Sequence, residues 1–301
     1  MSDFIVFGGI NMDLFAYVPR STQEGETIEA SSVEFYLGGK GANQAVALSR
    51  LGAEVSFVGT LGEDQFGKEL EALVSAEKID LKNLRKQDGQ SGVALINVLK
   101  DGRNEVISFP GVNKKTSSKY VSEKDLKSCS ILIGQMELED SQTNDLFIRA
   151  KKNNCLTLLN LAPFRMPSSS LLKNTDVLIV NETEFAGLLN KKINKLDLDF
   201  VLKNISSLNF LSKTKLIVTL GSLGVVTFSE GETKYFESRK VDVIDTVGAG
   251  DCFLGALGFS LKKDSDIFKA TEFANCAASI SVTRKGAAES MPSFDEVVKI
   301  L

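Results

Sequence analysis

Three short apolar runs decide the fold of this chain: I-L-I at 131–133, L-T-L-L at 156–159 and V-L-I-V at 177–180. Strands that are covered on both faces of a parallel sheet read as continuous runs of this kind, without the alternation of a half-exposed strand. The segments between the runs are long enough for helices, as at 141–151. Because strands and helices alternate, we predict a doubly wound α/β sheet with ligands at the carboxyl ends of its strands.

The chain extends this pattern on both sides of the three runs. We predict further strands at 4–7, 54–60 and 216–220, a hairpin of 225–228 with 233–236, and helices at 42–51, 65–77, 249–261 and 267–282. Possible strands at 14–18 and 33–37, and a hairpin of 92–99 with 105–109 that turns at Asp101-Gly102, fall outside the alternation. They predict a small second sheet that stands off the main body.

The composition is that of an ordinary globular enzyme. The chain has 301 residues, of which 43% are apolar and 25% charged, so it could form two domains or one large α/β domain. The net charge of −4 and the absence of a basic cluster disfavour nucleic-acid binding. No apolar stretch approaches the roughly 20 residues of a membrane span. We see no signal peptide either, so we expect a cytoplasmic protein with no membrane partner.

Cysteine and histidine usage excludes several kinds of site. The chain contains no histidine, which rules out a catalytic histidine and a histidine-ligated metal site. Its four cysteines, Cys129, Cys155, Cys252 and Cys276, form no C-x-x-C pair. This spacing disfavours a disulfide scaffold.

The segment D-T-V-G-A-G-D at 245–251 is the candidate catalytic site. Its two glycines allow a sharp turn, and the unpaired N–H groups at the start of the following helix favour a bound phosphate. Asp251 would then place a carboxylate beside an anion, which makes chemical sense if it is a general base. The alternative, a helix N-terminus capped by an aspartate, stays open at equal weight.

The segment G-G-K-G at 38–41 opens the helix predicted at 42–51. It is not a P-loop, because Gly41 follows the lysine where that motif requires serine or threonine. The pair Gly8-Gly9 does not complete a dinucleotide fingerprint, so a dehydrogenase is a weak alternative. Lys40 and Asn43 at a helix start can bind a polar ligand, although plain helix capping would also account for them.

Taken together, the motifs resemble those of one family. Their order is G-G-I-N-M-D at 8–13, G-E-T at 25–27, G-G-K-G-A-N-Q-A at 38–45, Q-M-E at 135–137, N-E-T-E at 181–184, T-L-G-S-L-G at 219–224 and D-T-V-G-A-G-D at 245–251. This order is similar to that of the ribokinase-like sugar kinases, the PfkB family, and V-T-R-K-G-A at 282–287 resembles their ribokinase branch. The resemblance implies an αβα sandwich with a mostly parallel central sheet. It also implies one kinase domain over 1–301, with a small β-sheet lid contributed by about 14–37 and 92–109.

The resemblance also implies an activity and its residues. The reaction would be transfer of the γ-phosphoryl group of ATP to a sugar hydroxyl, with Asp251 as base and the amides of Gly248, Ala249, Gly250 and Asp251 as anion hole. The sugar-binding positions would be Asn11, Asp13, Gly39, Lys40, Asn43, Glu137 and Asp251. Carboxylates and amides can discriminate vicinal hydroxyls, which an apolar pocket cannot. Without the family, Asp13 would be interpreted as a solvated turn residue and Glu137 as a solvated charge.

Nucleotide and magnesium positions follow from the same resemblance. Asn181 and Glu184 match an N-x-x-E motif, with Glu184 holding Mg²⁺ through water. By themselves they predict a helix N-cap and its capping box. The nucleotide positions are Thr219, Gly221, Ser222, Gly224, Gly250 and Asn275. Alone, these would indicate a hairpin turn and a helix-surface residue.

Two further properties are implied. The first is activation by K⁺, held mostly by backbone carbonyls at Asp245, Val247, Ser281, Arg284, Gly286 and Ser290. The alternative is that Asp245 caps the turn and Gly286 ends the preceding helix. The second is a homodimer through the lid, because Phe15, Tyr17, Val33 and Phe35 place apolar residues on strands too few to bury both faces.

The expected substrate is D-ribose, phosphorylated at its 5-hydroxyl. The alternatives are a family relative acting on fructose, a nucleoside or a phosphosugar. A phosphosugar would need cations, and the lid segment S-G-V-A at 91–94 supplies none. A non-catalytic sugar or nucleotide sensor is disfavoured because Asp251 is retained.

Overall fold

The computed structural model describes residues 2–100, 103–191, 197–208 and 213–301. The turn expected at Asp101-Gly102 lies outside these residues. Within the described part of the chain, no helix combines the length and apolarity that crossing a bilayer requires.

The main body is built on a nine-stranded sheet. Its strands are β1 Phe4–Phe7, β4 Val55–Gly62, β5 Ile79–Gln87, β8 Ile131–Gln135, β9 Leu156–Asn160, β10 Val177–Asn181, β11 Lys215–Thr219, β12 Val225–Ser229 and β13 Glu232–Phe236. They lie in the order β13-β12-β11-β10-β9-β8-β1-β4-β5. Neighbouring strands from β11 to β5 are parallel, and the predicted hairpin of β12 and β13 closes the other edge antiparallel.

Helices cover both faces of this sheet. Alternate residues of β1 enter two separate cores: Phe4 and Val6 pack in one, Ile5 and Phe7 in the other. Burying each such side chain stabilises the fold by roughly 1.5–3 kcal/mol. One layer contains α1 Lys40–Arg50, α2 Gln65–Ser75, α8 Ala249–Lys263, α9 Ile267–Ser281 and α10 Phe294–Val298. The other contains α3 Glu123–Ser128, α4 Asp140–Lys152, α5 Ser169–Lys173, α6 Glu182–Leu188 and α7 Leu198–Asn204. The predicted sandwich is confirmed.

A second, four-stranded sheet has the order β3-β2-β6-β7. Its strands are β2 Asn11–Val18, β3 Ser32–Gly38, β6 Gly92–Leu99 and β7 Asn104–Phe109. β2 begins three residues before the predicted start at 14, so Asp13 lies in a strand and not in a turn. We call this sheet the lid.

The lid has one face towards the body and one towards solvent. Phe15 pairs with Glu34 across β2 and β3 and is buried, whereas Phe35 pairs with Leu14 and is 54% exposed. Phe15 and Phe35 therefore point to opposite faces, since directly paired residues share a face. Of the four residues on which a lid dimer was predicted, Val33 and Phe35 are solvent-exposed, while Phe15 is buried and Tyr17 packs with it.

Strand β5 was not predicted from the sequence. Its residues I-D-L-K-N-L-R-K-Q form neither an apolar run nor a clean alternation. β5 lies at the edge of the large sheet, and its register against β4 shifts between Ser56 and Val58. An edge strand is incompletely covered and a register shift breaks the period of two, so hydrophobic patterning fails there.

Candidate active site

The turn before α8 depends on a glycine. Gly248 is the N-cap residue, in the left-handed region with φ 76°, and no side chain caps the helix. A Cβ at Gly248 would lie 2.8 Å from the Cα of Ala287, so both backbone conformation and space require glycine. A Cβ at Gly250 would meet nothing within 4 Å, so this part of the helix start borders open space. The interpretation of Asp251 as a capping residue is therefore wrong.

The carboxylate of Asp251 instead bonds to α1. Its Oδ2 accepts from Asn43 Nδ2 at 3.0 Å and its Oδ1 from Gln44 Nε2 at 2.8 Å. The two helices pack closely at Gly255, where a Cβ would lie 2.6 Å from the Cβ of Ala47. This approach places the N-terminal ends of α1 and α8, both with positive potential, around one carboxylate.

A cleft of about 430 Å³ lies between the lid and the body. All seven residues expected on the sugar side line it: Asn11, Asp13, Gly39, Lys40, Asn43, Glu137 and Asp251. Within the described residues, two buried acceptor atoms in this cleft, Asp13 Oδ1 and Asn43 Oδ1, have no hydrogen-bond partner. Leaving a buried acceptor unpaired costs roughly 1–3 kcal/mol, so hydroxyl donors from a ligand would be stabilised here.

Charges in this cleft perturb one another. Burial raises the pKa of Asp13 to about 8, and the carboxylates of Glu137 and Asp251 add to the shift. Burial also raises the pKa of Glu137, although the charge of Lys40 opposes this. For Lys40, burial alone would lower the pKa, but the surrounding carboxylates, Asp251 first, outweigh it and raise the pKa. At pH 7 the Asp13 carboxyl thus holds its proton and can donate a hydrogen bond as well as accept one.

A smaller cavity of about 230 Å³ lies next to this cleft and contains Asn181 and Glu184 in its wall. The capping box is present: Asn181 Oδ1 accepts from Glu184 N, and Glu184 Oε2 accepts from Asn181 N, both at 2.8 Å. Burial raises the pKa of Glu184. The cap occupies Oε2 of the carboxylate, so capping and a role at the cavity are compatible.

The largest of these three cavities, about 510 Å³, lies between the end of β11, the loop 237–243, the start of α8 and the C-terminal half of α9. The residues expected at the nucleotide all line it: Thr219, Gly221, Ser222, Gly224, Gly250 and Asn275. Asn275 Nδ2 also donates to the carbonyl oxygen of Glu237 at 2.9 Å, which ties α9 to the loop.

The three cavities form a continuous series. Lys40, Gly248 and Asp251 line both the sugar-side cleft and the small cavity, and Thr219 and Gly250 line both the small and the largest cavity. The start of α8 therefore lies at the point where a ligand from one side would meet a ligand from the other.

The residues predicted to hold a monovalent cation lie in the turn at 245–247, at the end of α9 and in the segment 284–290, and Asp245 joins the first of these to the last. Its carboxylate accepts from Val247 N and from Gly286 N, both at 3.0 Å. The side chains of Ser281 and Ser290 bond to carbonyl groups of their own turns, and Arg284 pairs with Glu296. The view that Gly286 ends the preceding helix is wrong, because α9 ends at Ser281. The described residues contain no group of three or more acidic, cysteine or histidine side chains suited to a metal.

Sequence patterns missed three buried amides at the site. Gln44 bonds to Asp251, Gln135 bonds to Gln44, and Asn113 bonds to Asn11 and to the backbone of Ile10. Gln44 and Gln135 lie within the motifs at 38–45 and 135–137, next to residues to which the family resemblance assigned a role. Asn113 follows the lid in G-V-N, where nothing in the sequence marks it.

Comparisons with known proteins identify the family of this chain. The profile of the pfkB family carbohydrate kinases matches residues 1–293. The chain is 34% identical to the ribokinase of Haemophilus influenzae over 299 residues, which covers 98% of this chain and 97% of that protein. The structure is similar to Thermotoga maritima ribokinase, with a TM-score of 0.88, 30% identity and 99% of each chain covered. Arabidopsis thaliana ribokinase complexed with ribose and ATP gives a TM-score of 0.88 at 30% identity, covering 99% of this chain and 98% of that one. The chain belongs to the pfkB family of carbohydrate kinases.

Proposed function

We propose that this pfkB family kinase transfers the γ-phosphoryl group of ATP to the 5-hydroxyl of D-ribose. The observation that carries the proposal is the continuous series of cavities, with Asp251, Gly248 and Gly250 at their junction. Relatives named ribokinase, one of them solved with ribose and ATP, support the choice of substrates.

The sugar is held by the polar groups of the cleft. Asp13 and Asn43 each offer a buried acceptor atom without a partner, and Asn11, Lys40 and Glu137 complete the wall. Vicinal hydroxyls donate to and accept from such groups, so a substrate lacking one hydroxyl leaves a buried polar atom unpaired.

Asp251 then acts on the hydroxyl that reaches the junction. It removes the proton of the 5-hydroxyl as the oxygen attacks the γ-phosphorus, while the leaving oxygen stays on ADP. The N–H groups at the start of α8, with Gly248, Ala249 and Gly250, stabilise the charge on the transferring group, and Lys40 adds a positive charge beside it.

Thr219, Gly221, Ser222, Gly224 and Asn275 hold the nucleotide in the largest cavity. Asn181 and Glu184 would hold Mg²⁺ through its water, because Glu184 keeps one carboxylate oxygen outside the capping box and lines the small cavity. Magnesium keeps several waters, so one carboxylate suffices, and when bound it neutralises charge on the phosphates.

K⁺ would bind the two loops that Asp245 joins, through carbonyls near Val247, Ser281, Arg284, Gly286 and Ser290. Asp245 already fixes both loops through two backbone amides, which supports a site built from their carbonyl oxygens. A bound cation would stiffen the turn that carries Gly248 and so hold the N–H groups in place.

The active form would be a homodimer in the cytoplasm, with the lid strands at the interface. Each subunit would be one kinase domain over 1–301, without a nucleic-acid or membrane partner. The solvent face of the lid supports this, because it exposes Val33, Phe35, Leu95, Ile107 and Phe109. Such a cluster is the kind of patch that monomers rarely leave uncovered. Sedimentation at tens of micromolar should give twice the 32.6 kDa chain mass, and a monomer alone would contradict this assembly.

A phosphosugar remains the competing substrate for one structural reason. Lys114 and Arg165 line the sugar-side cleft. These two side chains supply the cations that the lid segment at 91–94 lacks and that a phosphosugar would need.

Release of ADP measured across D-ribose, fructose, nucleosides and fructose phosphates separates the possibilities. We expect the highest kcat/KM for ribose, and a preference of about tenfold or more for another substrate would overturn the assignment of ribose while leaving the kinase intact.

A further inference from the structure

Two buried glutamines lie behind the carboxylate of Asp251. Gln44 Nε2 donates to Asp251 Oδ1 at 2.8 Å, and Gln135 Nε2 donates to Gln44 Oε1 at 2.6 Å. Both side chains are fully buried. Neither lines any of the three cavities, whereas Asn43, the other donor to Asp251, lines the sugar-side cleft. The glutamines therefore reach a bound substrate only through Asp251.

The direction of these hydrogen bonds is fixed by the carboxylate. An ionised carboxylate only accepts, so Gln44 must present its NH₂ group to Asp251 and its oxygen to Gln135. Gln135 must then donate to Gln44, which leaves its own Oε1 at the end of the chain. That atom is buried and has no hydrogen-bond partner among the residues that the structure describes.

The backbone is arranged to admit this unpaired end. A Cβ at Gly8 would lie 2.0 Å from Gln135 Oε1 and 2.6 Å from the Cα of Gly41. Gly8 at the end of β1 thus provides the space in which the Gln135 amide lies between β8 and α1. An apolar side chain would fill this space without the roughly 1–3 kcal/mol cost of a buried unpaired oxygen. The glutamine at this position instead gives Gln44 a hydrogen-bond donor at the other end of its amide.

We propose that Gln44 and Gln135 are positioning residues for the general base. The chain of amides fixes the Oδ1 side of Asp251, so that Oδ2, the oxygen bonded to cleft-lining Asn43, faces the sugar hydroxyl. This inference rests on the proposed kinase reaction.

The test uses Gln44→Met and Gln135→Met, which keep much of the side-chain volume and remove the donors. For Gln44→Met we expect kcat about ten- to a hundredfold lower, with the KM values for ribose and ATP within about twofold of the parent. Gln135→Met should show a smaller change of the same kind.

Coupling distinguishes a positioning chain from general loss of structure. The double variant should be no more than about threefold worse than Gln44→Met, because both act through one hydrogen-bonded chain. In an Asp251→Asn background, Gln44→Met should leave kcat unchanged. Thr116→Val is the matched control: it removes a buried hydrogen bond to Thr60, 2.8 Å long, away from all three cavities. Its kinetics should stay those of the parent.

A parent-like kcat for Gln44→Met would overturn the proposal. If that variant does not fold, a parent-like kcat for Gln135→Met overturns it equally. Additive losses in the double variant, or a further loss of kcat in the Asp251→Asn background, would do the same. A parent chain with no kinase activity at all would instead refute the proposed function.

Discussion

The sugar-side cleft and the nucleotide-side cavity are built from different chemistry. Asp13, Lys40 and Glu137 line the first and shift one another's pKa values. The second is formed largely by glycines, short side chains and apolar residues such as Val225 and Phe253. The first therefore presents buried ionisable groups to a ligand, and the second mainly short, apolar and backbone surfaces. Substitutions should therefore be costly on the sugar side and mild on the nucleotide side.

Asp251→Asn tests the residue at the boundary and should have the largest effect. Asparagine can keep the shape and some of the hydrogen bonds but cannot take the proton of the hydroxyl. We expect kcat to fall by about 10²–10⁴, the usual range for a general base, while nucleotide affinity changes little. Steady-state kinetics with calorimetric titration of ADP check both. Residual kcat within about threefold of the parent would remove Asp251 from the base role.

Asp13→Asn should damage sugar binding and also change the pH dependence of stability. We expect the KM for ribose to rise by about ten- to a hundredfold, because a cleft group that pairs with hydroxyls is altered. The folded-state pKa of Asp13, about 8, lies above its ordinary 3.8, so the folded protein keeps a proton that the unfolded chain has lost. Its contribution to stability therefore falls as pH rises between these two values.

The variant removes this titration, so the free energy of unfolding of Asp13→Asn relative to the parent should increase from pH 5 to pH 8. Urea unfolding at several pH values measures the difference. Asp242→Asn, at an exposed loop position, serves as the control and should show no such trend. A constant difference between parent and Asp13→Asn would contradict the shifted pKa.

Exchange of K⁺ for Na⁺ at constant ionic strength tests the turn before α8, which lies between the sugar-side cleft and the nucleotide-side cavity. We expect kcat to fall severalfold, since the smaller ion fits the carbonyl groups less well and the N–H groups lose their fixed orientation. Asp245→Ala should abolish the difference, because its carboxylate joins the two loops. Equal rates in the two salts for the parent would show that no such site acts in catalysis.

Asn275→Ala should have the smallest effect. It removes the hydrogen bond to the carbonyl of Glu237 and one polar group of the nucleotide cavity. Because shape and backbone provide most of this wall, we expect the KM for ATP to rise only about two- to fivefold with kcat unchanged. An effect on ATP as large as that of Asp13→Asn on ribose would remove the contrast between the two regions.

Much of the fold followed from local pattern. The buried parallel strands β8, β9 and β10 were found because both of their faces are covered, which leaves a continuous apolar run. β5 was missed because an edge strand with a register shift shows neither a continuous apolar run nor a regular alternation in its sequence. Residues such as Gly39, Thr219 and Gly250 line the cavities because they stand at strand ends and helix starts, where parallel topology gathers them at one edge of the sheet. Asp13 in the lid and Asn275 within α9 reach the cavities through tertiary packing instead.

By itself the sequence determined the α/β class, the lid strands and the residue types that could serve a phosphoryl transfer. It left open whether Asp251 caps a helix and whether Asn181 and Glu184, besides forming a local capping box, face a cavity. Only the tertiary structure decided these points, since the partners of Asp251 and the walls of the cavity come from distant parts of the chain. Gln44 and Asp251 are 207 residues apart, and Gln44 and Gln135 are 91 apart. Hydrophobic period and turn chemistry act over a few residues, whereas such pairs arise from the packing of α1 against α8 and β8.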